Sequence, residues 1–101
     1  PAIMFLFFDT ETTGLPRNWK APVSDSSNWP RMVQLAWLTY DDTGNRINGE
    51  DFIIIPEGFT IPAEASKVHG ITTERAHKDG YELDYVLQVF AEQIEKADYI
   101  V

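Results

Sequence analysis

Two acidic side chains, Asp9 and Glu11, are separated by a single residue near the start of the chain. In an extended strand alternate residues point to the same face, which would place their Cα atoms about 6–7 Å apart. Carboxylates on one side of a strand can ligate hard divalent cations, which prefer oxygen donors. Two such ions about 4 Å apart can activate a water and stabilise the leaving oxygen in phosphoryl transfer. The pair therefore predicts a metal site with phosphoryl-transfer chemistry.

The same segment is open to two other interpretations. A D-x-E sequence that follows a strand is, in most sequences, a solvated turn in which an acidic residue caps the backbone. The spacing that begins at Asp9 also matches the first positions of an EF-hand calcium loop. The twelfth position of that loop would be Lys20 instead of a bidentate glutamate. A strand instead of a helix would lead into it, so the calcium loop is disfavoured.

The element that must position this pair is the apolar run of residues 3–8. Its aromatic content and lack of alternation predict a strand buried on both faces, in a sheet with helices on each side. Residues 14–31 are rich in Gly, Pro, Ser and Asn, which predicts a long loop. A connection of this length in a compact domain is usually functional or mobile. Trp19 and Trp29 lie in it, where they either stack on bases or pack the loop onto the domain.

A hairpin is predicted next. Residues 31–40 form a second strand, residues 41–45 a Gly-containing turn, and residues 52–56 a third strand. Two strands joined in this way pair in antiparallel fashion.

The remaining chain is mainly helical. A short helix is predicted over residues 62–69, and a helical turn capped by Thr72 or Thr73 follows. The longest helix covers residues 82–96, with apolar residues at helical spacing, and residues 98–101 begin a further strand. The order β-β-β-α-β predicts an α/β fold with a mixed sheet, in which the last strand pairs parallel to the first.

Composition sets outer limits on function. The 101 residues suffice for one small domain, and 44% hydrophobic residues indicate a globular chain. The absence of cysteine excludes disulfides and fits a reducing, cytoplasmic setting. No run approaches the roughly 18 apolar residues that span a bilayer, so no membrane is expected. A net charge of −8 argues against nucleic-acid binding, although metal ions bound by carboxylates would reverse the local field.

One stretch resembles a known motif. Phe7-Phe8-Asp9-Thr10-Glu11-Thr12-Thr13-Gly14-Leu15 is similar to the first motif of the DEDD (DnaQ-like) 3′→5′ exonuclease family, which includes the epsilon subunit of DNA polymerase III. Further similarities follow in the family's order, at Val33-Gln34-Leu35-Ala36, Ile61-Pro62, Val68-His69-Gly70-Ile71-Thr72 and Ala97-Asp98-Tyr99-Ile100-Val101. The resemblance covers nearly the whole chain and implies a ribonuclease H-like fold.

The resemblance also implies an activity. Asp9 and Glu11 would ligate two Mg²⁺ or Mn²⁺ ions at the scissile phosphate, with Glu11 toward the metal nearer the attacking water. The implied reaction is two-metal hydrolysis of phosphodiester bonds at single-stranded 3′ ends of DNA or RNA. DNA polymerase III epsilon-type proofreading, with a polymerase as partner, is one form that this activity takes in the family.

Four residues acquire substrate-binding roles from the resemblance. Thr12 would offer its main-chain NH near the 3′-terminal nucleotide, and Leu15 would pack against the terminal base. Val68 and His69 would line the same pocket. Each has an alternative: Leu15 and Val68 could be core residues, and His69 could cap the end of its helix.

The chain also departs from the family pattern. The family uses four carboxylates and a general base, whereas these residues carry only the first motif, with no H-x-A-x-x-D or Y-x-x-x-D sequence. We therefore expect residues 1–101 to be the N-terminal portion of a single exonuclease domain, ending before the second and third motifs, and to be nearly inactive alone. The alternatives are a non-catalytic nucleic-acid or polymerase binding module with a nuclease-like fold, and a plain α/β fragment without activity.

Overall fold

A computed structural model describes residues 3–101. Its elements in chain order are β1 (Met4–Thr12), β2 (Met32–Asp41), β3 (Arg46–Ile53), α1 (Ala63–His69), α2 (Thr73–Asp79), α3 (Leu83–Lys96) and β4 (Tyr99–Ile100). The four strands form one sheet in the order β3-β2-β1-β4. The pairs β1–β2 and β2–β3 are antiparallel, and β4 runs parallel to β1. The predicted α/β fold, hairpin and parallel last strand are confirmed.

β3 begins earlier than the sequence predicted. It runs from Arg46 to Ile53, whereas the prediction was residues 52–56. The missed residues are polar and include Gly49, a composition that indicates a turn instead of a strand. They pair with β2 because β3 is an edge strand, which does not need two apolar faces. Ile54 leaves the strand and forms a parallel bridge with Tyr81.

The helix boundaries follow the predicted caps. α1 ends at Gly70, which adopts a φ of 77° and donates its backbone N–H to the Ser66 carbonyl. Of the two threonines proposed as the cap of α2, Thr72 has that role, because its hydroxyl accepts from the Arg75 N–H at 3.1 Å. None of the helices described within residues 3–101 is long and apolar enough to cross a membrane.

The core lies on one face of the sheet. Alternate residues of β2 point to this face and join two clusters. One packs against α1 and α2 and contains Val33, Ile61, Ala65, Ile71 and Ala76; the other packs against α3 and contains Leu35, Trp37, Phe52, Ile54 and Val86. Fully burying one large aliphatic or aromatic side chain stabilises the fold by about 1.5–3 kcal/mol.

The expectation that β1 is buried on both faces is wrong for the described residues. Leu6 is fully buried on the helix-covered face, but Phe7, on the opposite face, is 42% exposed. Phe7 packs edge-on against Tyr40 with ring centroids 6.0 Å apart, and neighbouring Leu38 is also exposed. An unbroken apolar run shows that both faces of a strand are apolar, but it does not show what covers each of them. We call the face that carries Phe7 and Leu38 the open face.

Candidate active site

Asp9 and Glu11 lie on the same face of one strand. β1 continues through Thr12, so the alternation that would align the two carboxylates is present. Because Phe7 precedes them by two and four residues, both point to the open face. In the register of the sheet Asp9 pairs with Ala36 and Glu11 with Gln34 of β2. The solvated-turn interpretation of this segment is therefore wrong.

The surroundings of the pair are polar and accessible. Asp9 is exposed and Glu11 half-buried. The Thr10 backbone N–H donates to Asp9 Oδ1 at 2.9 Å, which holds one carboxylate oxygen against the strand. Beside Asp9 the open face carries a shallow groove of about 480 Å³, bordered by Phe7, Leu38 and Asp51. An extended ligand could reach the carboxylates along this groove.

Asp51 is a third acidic residue on the open face that the sequence did not reveal. It pairs with Ala36, the residue that also pairs with Asp9, so the three form one row across three strands. Two strand spacings put the Asp51 and Asp9 backbones about 9–10 Å apart. The Gln34 side-chain amide donates to Asp51 Oδ1. The sequence could not place Asp51 because the predicted third strand began after it.

The carboxylates of Asp9 and Glu11 are suitable ligands for a hard cation, but two of them do not complete its coordination shell. Asp9 and Glu11 supply carboxylate oxygens, the ligands that Mg²⁺ and Mn²⁺ prefer. Within residues 3–101 no group of three or more His, Asp or Glu side chains is arranged to hold a metal. Two carboxylates fit one divalent cation with most of its octahedral shell left to water, phosphate or further ligands.

Thr12 and Leu15 lie where β1 leaves the sheet. The β1–β2 register shifts between Glu11 and Thr12, an irregularity typical of strand ends beside active sites. The Thr12 hydroxyl donates to the Gly14 carbonyl at 3.1 Å, and Gly14 has a φ of 139°. Leu15 then projects into solvent, with 81% of its surface exposed. A core role for Leu15 is therefore wrong.

Val68 and His69 lie at the end of α1. Val68 is 83% exposed, which also excludes a core role. His69 Nδ1 accepts from the Ile71 backbone N–H at 3.1 Å, so the ring does bond just beyond the helix end. Its Nε2 is buried and has no hydrogen-bond partner among the described residues. Ala65 of α1 packs in the cluster of Val33, on the face of β2 that points away from the carboxylates.

The loop of residues 14–31 is closed at its base. The Thr13 N–H donates to the Arg31 carbonyl at 3.0 Å, and the Arg31 N–H donates to the Thr13 hydroxyl at 2.9 Å. Trp29 Nε1 donates to the Pro22 carbonyl at 2.9 Å, so this tryptophan bonds within the loop, whereas the sequence predicted that it packs the loop onto the domain. Trp19 touches the edge of Trp29, with centroids 6.4 Å apart, yet is 70% exposed.

Known proteins share the sequence pattern and the fold of this chain. The sequence model of the exonuclease (RNase T) family matches residues 6–101. Exonuclease I of E. coli in complex with a 5cy-dA13 oligonucleotide superposes with a TM-score of 0.75 over 97% of this chain and 20% of its own, at 23% identity. Exonuclease I from Methylocaldum szegediense gives 0.70 over 90% and 18%, also at 23% identity.

A third similar structure, E. coli exonuclease I in complex with a dT13 oligonucleotide, gives a TM-score of 0.62 over 93% of this chain and 18% of its own, at 26% identity. No curated protein matches the sequence. The chain thus spans about a fifth of the length of these exonuclease I structures. They support the ribonuclease H-like fold, while the likeness to the polymerase III epsilon subunit stays a prediction.

Proposed function

The chain belongs to the exonuclease (RNase T) family, and on that premise we propose that it supplies the first metal-ligating motif of a 3′→5′ exonuclease. The observation that carries the proposal is the placement of Asp9 and Glu11 side by side on the open face of β1. The proposed reaction is hydrolysis of phosphodiester bonds at single-stranded 3′ ends. Single-stranded DNA is the favoured substrate, because exonuclease I structures with the same fold hold dA13 and dT13 oligonucleotides.

The chain's own contribution is to hold two carboxylates in place. β1 pairs with β2 along its whole length, including Asp9 and Glu11, and with β4 at Phe5 and Leu6. Such a rigid support keeps reacting groups near their productive geometry. Bound Mg²⁺ or Mn²⁺ would supply Lewis-acid stabilisation of the phosphate and a more acidic water. Asp9 and Glu11 would hold the cation and orient the phosphate along the groove.

The substrate pocket is proposed to use exposed residues that follow β1 and that end α1. Leu15 and Val68 are apolar and solvent-exposed, which suits contact with a terminal base or sugar. His69 accepts at Nδ1, so the neutral ring carries its proton on the unpaired Nε2. Because Nε2 is buried, His69 would contact the nucleotide through the exposed part of its ring instead of through this N–H. Thr12 would contribute its main-chain N–H beside the scissile phosphate.

The remaining parts of the machinery are proposed to lie outside these 101 residues. A two-metal site needs more carboxylates than Asp9 and Glu11, and water activation needs a general base. We propose that the chain is the N-terminal portion of a longer exonuclease domain. On its own it would bind metal weakly and hydrolyse nucleic acid very slowly. The proposal includes proofreading beside a polymerase partner as one form of the same activity.

Metal binding tests the proposal on this chain directly. The electron paramagnetic resonance signal of free Mn²⁺ should fall as the wild-type chain is added, and fall much less with Asp9→Asn or Glu11→Gln. Asp51→Asn is the matched control, since it removes one charge from the same face without touching the pair. Equal Mn²⁺ binding by wild type and Asp9→Asn would overturn the assignment.

A further inference from the structure

The loop of residues 14–31 has a charge pattern opposite to that of the rest of the chain. It contains three of the eight basic residues and only one of the sixteen acidic residues. The whole chain carries a charge of −8, so the surface outside the loop is more acidic than the total indicates. Phosphates are repelled by such a surface and attracted to a local basic patch.

Three residues close together in the first part of this loop are exposed to solvent. Arg17, Trp19 and Lys20 are all exposed, and neither basic side chain forms an ion pair with another residue of the described part of the chain. The third basic residue, Arg31, is engaged elsewhere: its guanidinium lies 4.5 Å over the Phe59 ring and bonds the Glu57 carbonyl. The charges of Arg17 and Lys20 and the aromatic ring of Trp19 are therefore available to a ligand.

Hydrogen bonds and a ring contact within the loop hold Trp19 in place. Asn28 is buried and bonds the backbone of Asn18 twice, directly beside Trp19. The edge of Trp29 supports the Trp19 ring, and Trp29 is itself bonded to Pro22. An exposed indole held from two sides loses little entropy when a base stacks on it.

The loop also starts beside the carboxylates. Its base closes through Thr13 and Arg31, two residues after Glu11. The groove lies on the Phe7 side of the pair and the loop on the Glu11 side, so a strand of nucleic acid that ends at Asp9 and continues past Glu11 would meet this loop.

We infer that Arg17, Trp19 and Lys20 form a binding platform for single-stranded nucleic acid, in which a base stacks on Trp19 and the two basic side chains contact flanking phosphates. The inference rests on the proposed function for its substrate class. It adds a site away from the metal ligands that would hold the strand upstream of the 3′ end.

Binding of fluorescein-labelled oligothymidylate to this chain, measured by anisotropy in EDTA, tests the platform without metal or hydrolysis. Trp19→Ala should weaken binding roughly 5- to 150-fold, the range for loss of one stacked base. Val23→Ala, at an exposed apolar residue of the same loop, should change little. Arg17→Ala/Lys20→Ala should reduce the slope of log affinity against log salt by about 1.4, at about 0.7 per phosphate contact. Lys96→Ala, which removes a positive charge on α3, is the control for this double variant.

An abasic oligonucleotide with the same phosphates separates stacking from a structural effect. Wild type should prefer oligothymidylate over the abasic strand, and Trp19→Ala should bind the two equally. The platform would be overturned if Trp19→Ala bound oligothymidylate as tightly as Val23→Ala does. It would also be overturned if Trp19→Ala weakened binding of oligothymidylate and of the abasic strand by the same factor. A wild-type chain that binds neither probe would overturn it as well. Because the assay contains EDTA, its result is independent of whether Asp9 and Glu11 bind metal, so either proposal can fail alone.

Discussion

The Asn28 side chain is bonded twice to the backbone of Asn18: its Oδ1 accepts from the Asn18 N–H at 2.8 Å, and its Nδ2 donates to the Asn18 carbonyl at 2.9 Å. The amide is buried, although the surrounding loop is largely exposed. This pair joins the two halves of the loop between β1 and β2. The loop is therefore a structured element, and Trp19 is attached to its fixed part.

Asn28→Ala should loosen this loop. The substitution removes both hydrogen bonds and leaves the Asn18 N–H without its partner, while the Asn18 carbonyl still accepts from the Ala21 N–H, at a local cost of about 1–3 kcal/mol. Hydrogen exchange of the loop amides, followed by mass spectrometry, should become at least about 5-fold faster. Ser26→Ala in the same loop is the control. Equal exchange in the two variants would show that the Asn28 amide does not hold the loop.

The hairpin tip between β2 and β3 should make stability depend on pH. Hydrogen bonds from the Thr43 hydroxyl, the Asn45 N–H and the Thr43 N–H hold the pKa of Asp41 below its ordinary value of 3.8. A lowered folded-state pKa stabilises the fold above pH 3.8, and this contribution is lost as pH falls through the folded-state value.

Urea unfolding of wild type and Asp41→Ala should therefore differ at neutral pH and converge as the pH falls below 3.8 through the folded-state pKa of Asp41. Asp42→Ala, an exposed neighbour, supplies the control. A difference between wild type and Asp41→Ala that persists unchanged into acid would contradict the role of the Asp41 carboxylate.

Asp98 should stabilise the pairing of β4 with β1. Its carboxylate accepts from the Met4 N–H at 2.8 Å, and its own N–H donates to the Met4 carbonyl at 2.9 Å. Asp98→Ala removes the first of these bonds and should lower the free energy of unfolding by about 1 kcal/mol. Urea denaturation measures the change, with Glu95→Ala as the control on the exposed surface of α3. A loss no larger than that of the control would contradict this role.

Gly80 should tolerate no side chain. A Cβ at this position would meet the Ala76 carbonyl oxygen and lie 2.9 Å from the Ile55 nitrogen, both fixed backbone atoms. Gly80→Ala should destabilise the fold by about 1–3 kcal/mol in thermal or urea unfolding. At Gly49 the closest neighbour is the flexible end of Arg46, so Gly49→Ala should cost less. The reverse order would show that α2 can move away from the Ile54–Tyr81 bridge.

The predictable parts of this structure depend on local patterns. The apolar spacing of α3, the Gly70 and Thr72 caps and the alternation that aligns Asp9 with Glu11 are all set within a few residues. Features that depend on strand pairing or on packing between distant segments could not be predicted. The polar start of β3 and the position of Asp51 follow from pairing with β2. The open face likewise depends on what packs against β1, which the apolar run of residues 3–8 does not encode.

The nuclease assignment is tested most directly on the longer polypeptide that we propose contains this segment. A 5′-labelled single-stranded oligonucleotide should give a ladder that shortens from its 3′ end with Mg²⁺ or Mn²⁺, and none in EDTA. Asp9→Asn should slow the reaction at least about 100-fold, as expected when electrostatic stabilisation of the transition state is lost, while Asp51→Asn should retain most of it. A metal-independent ladder, no ladder from a folded protein, or full activity of Asp9→Asn would contradict the assignment.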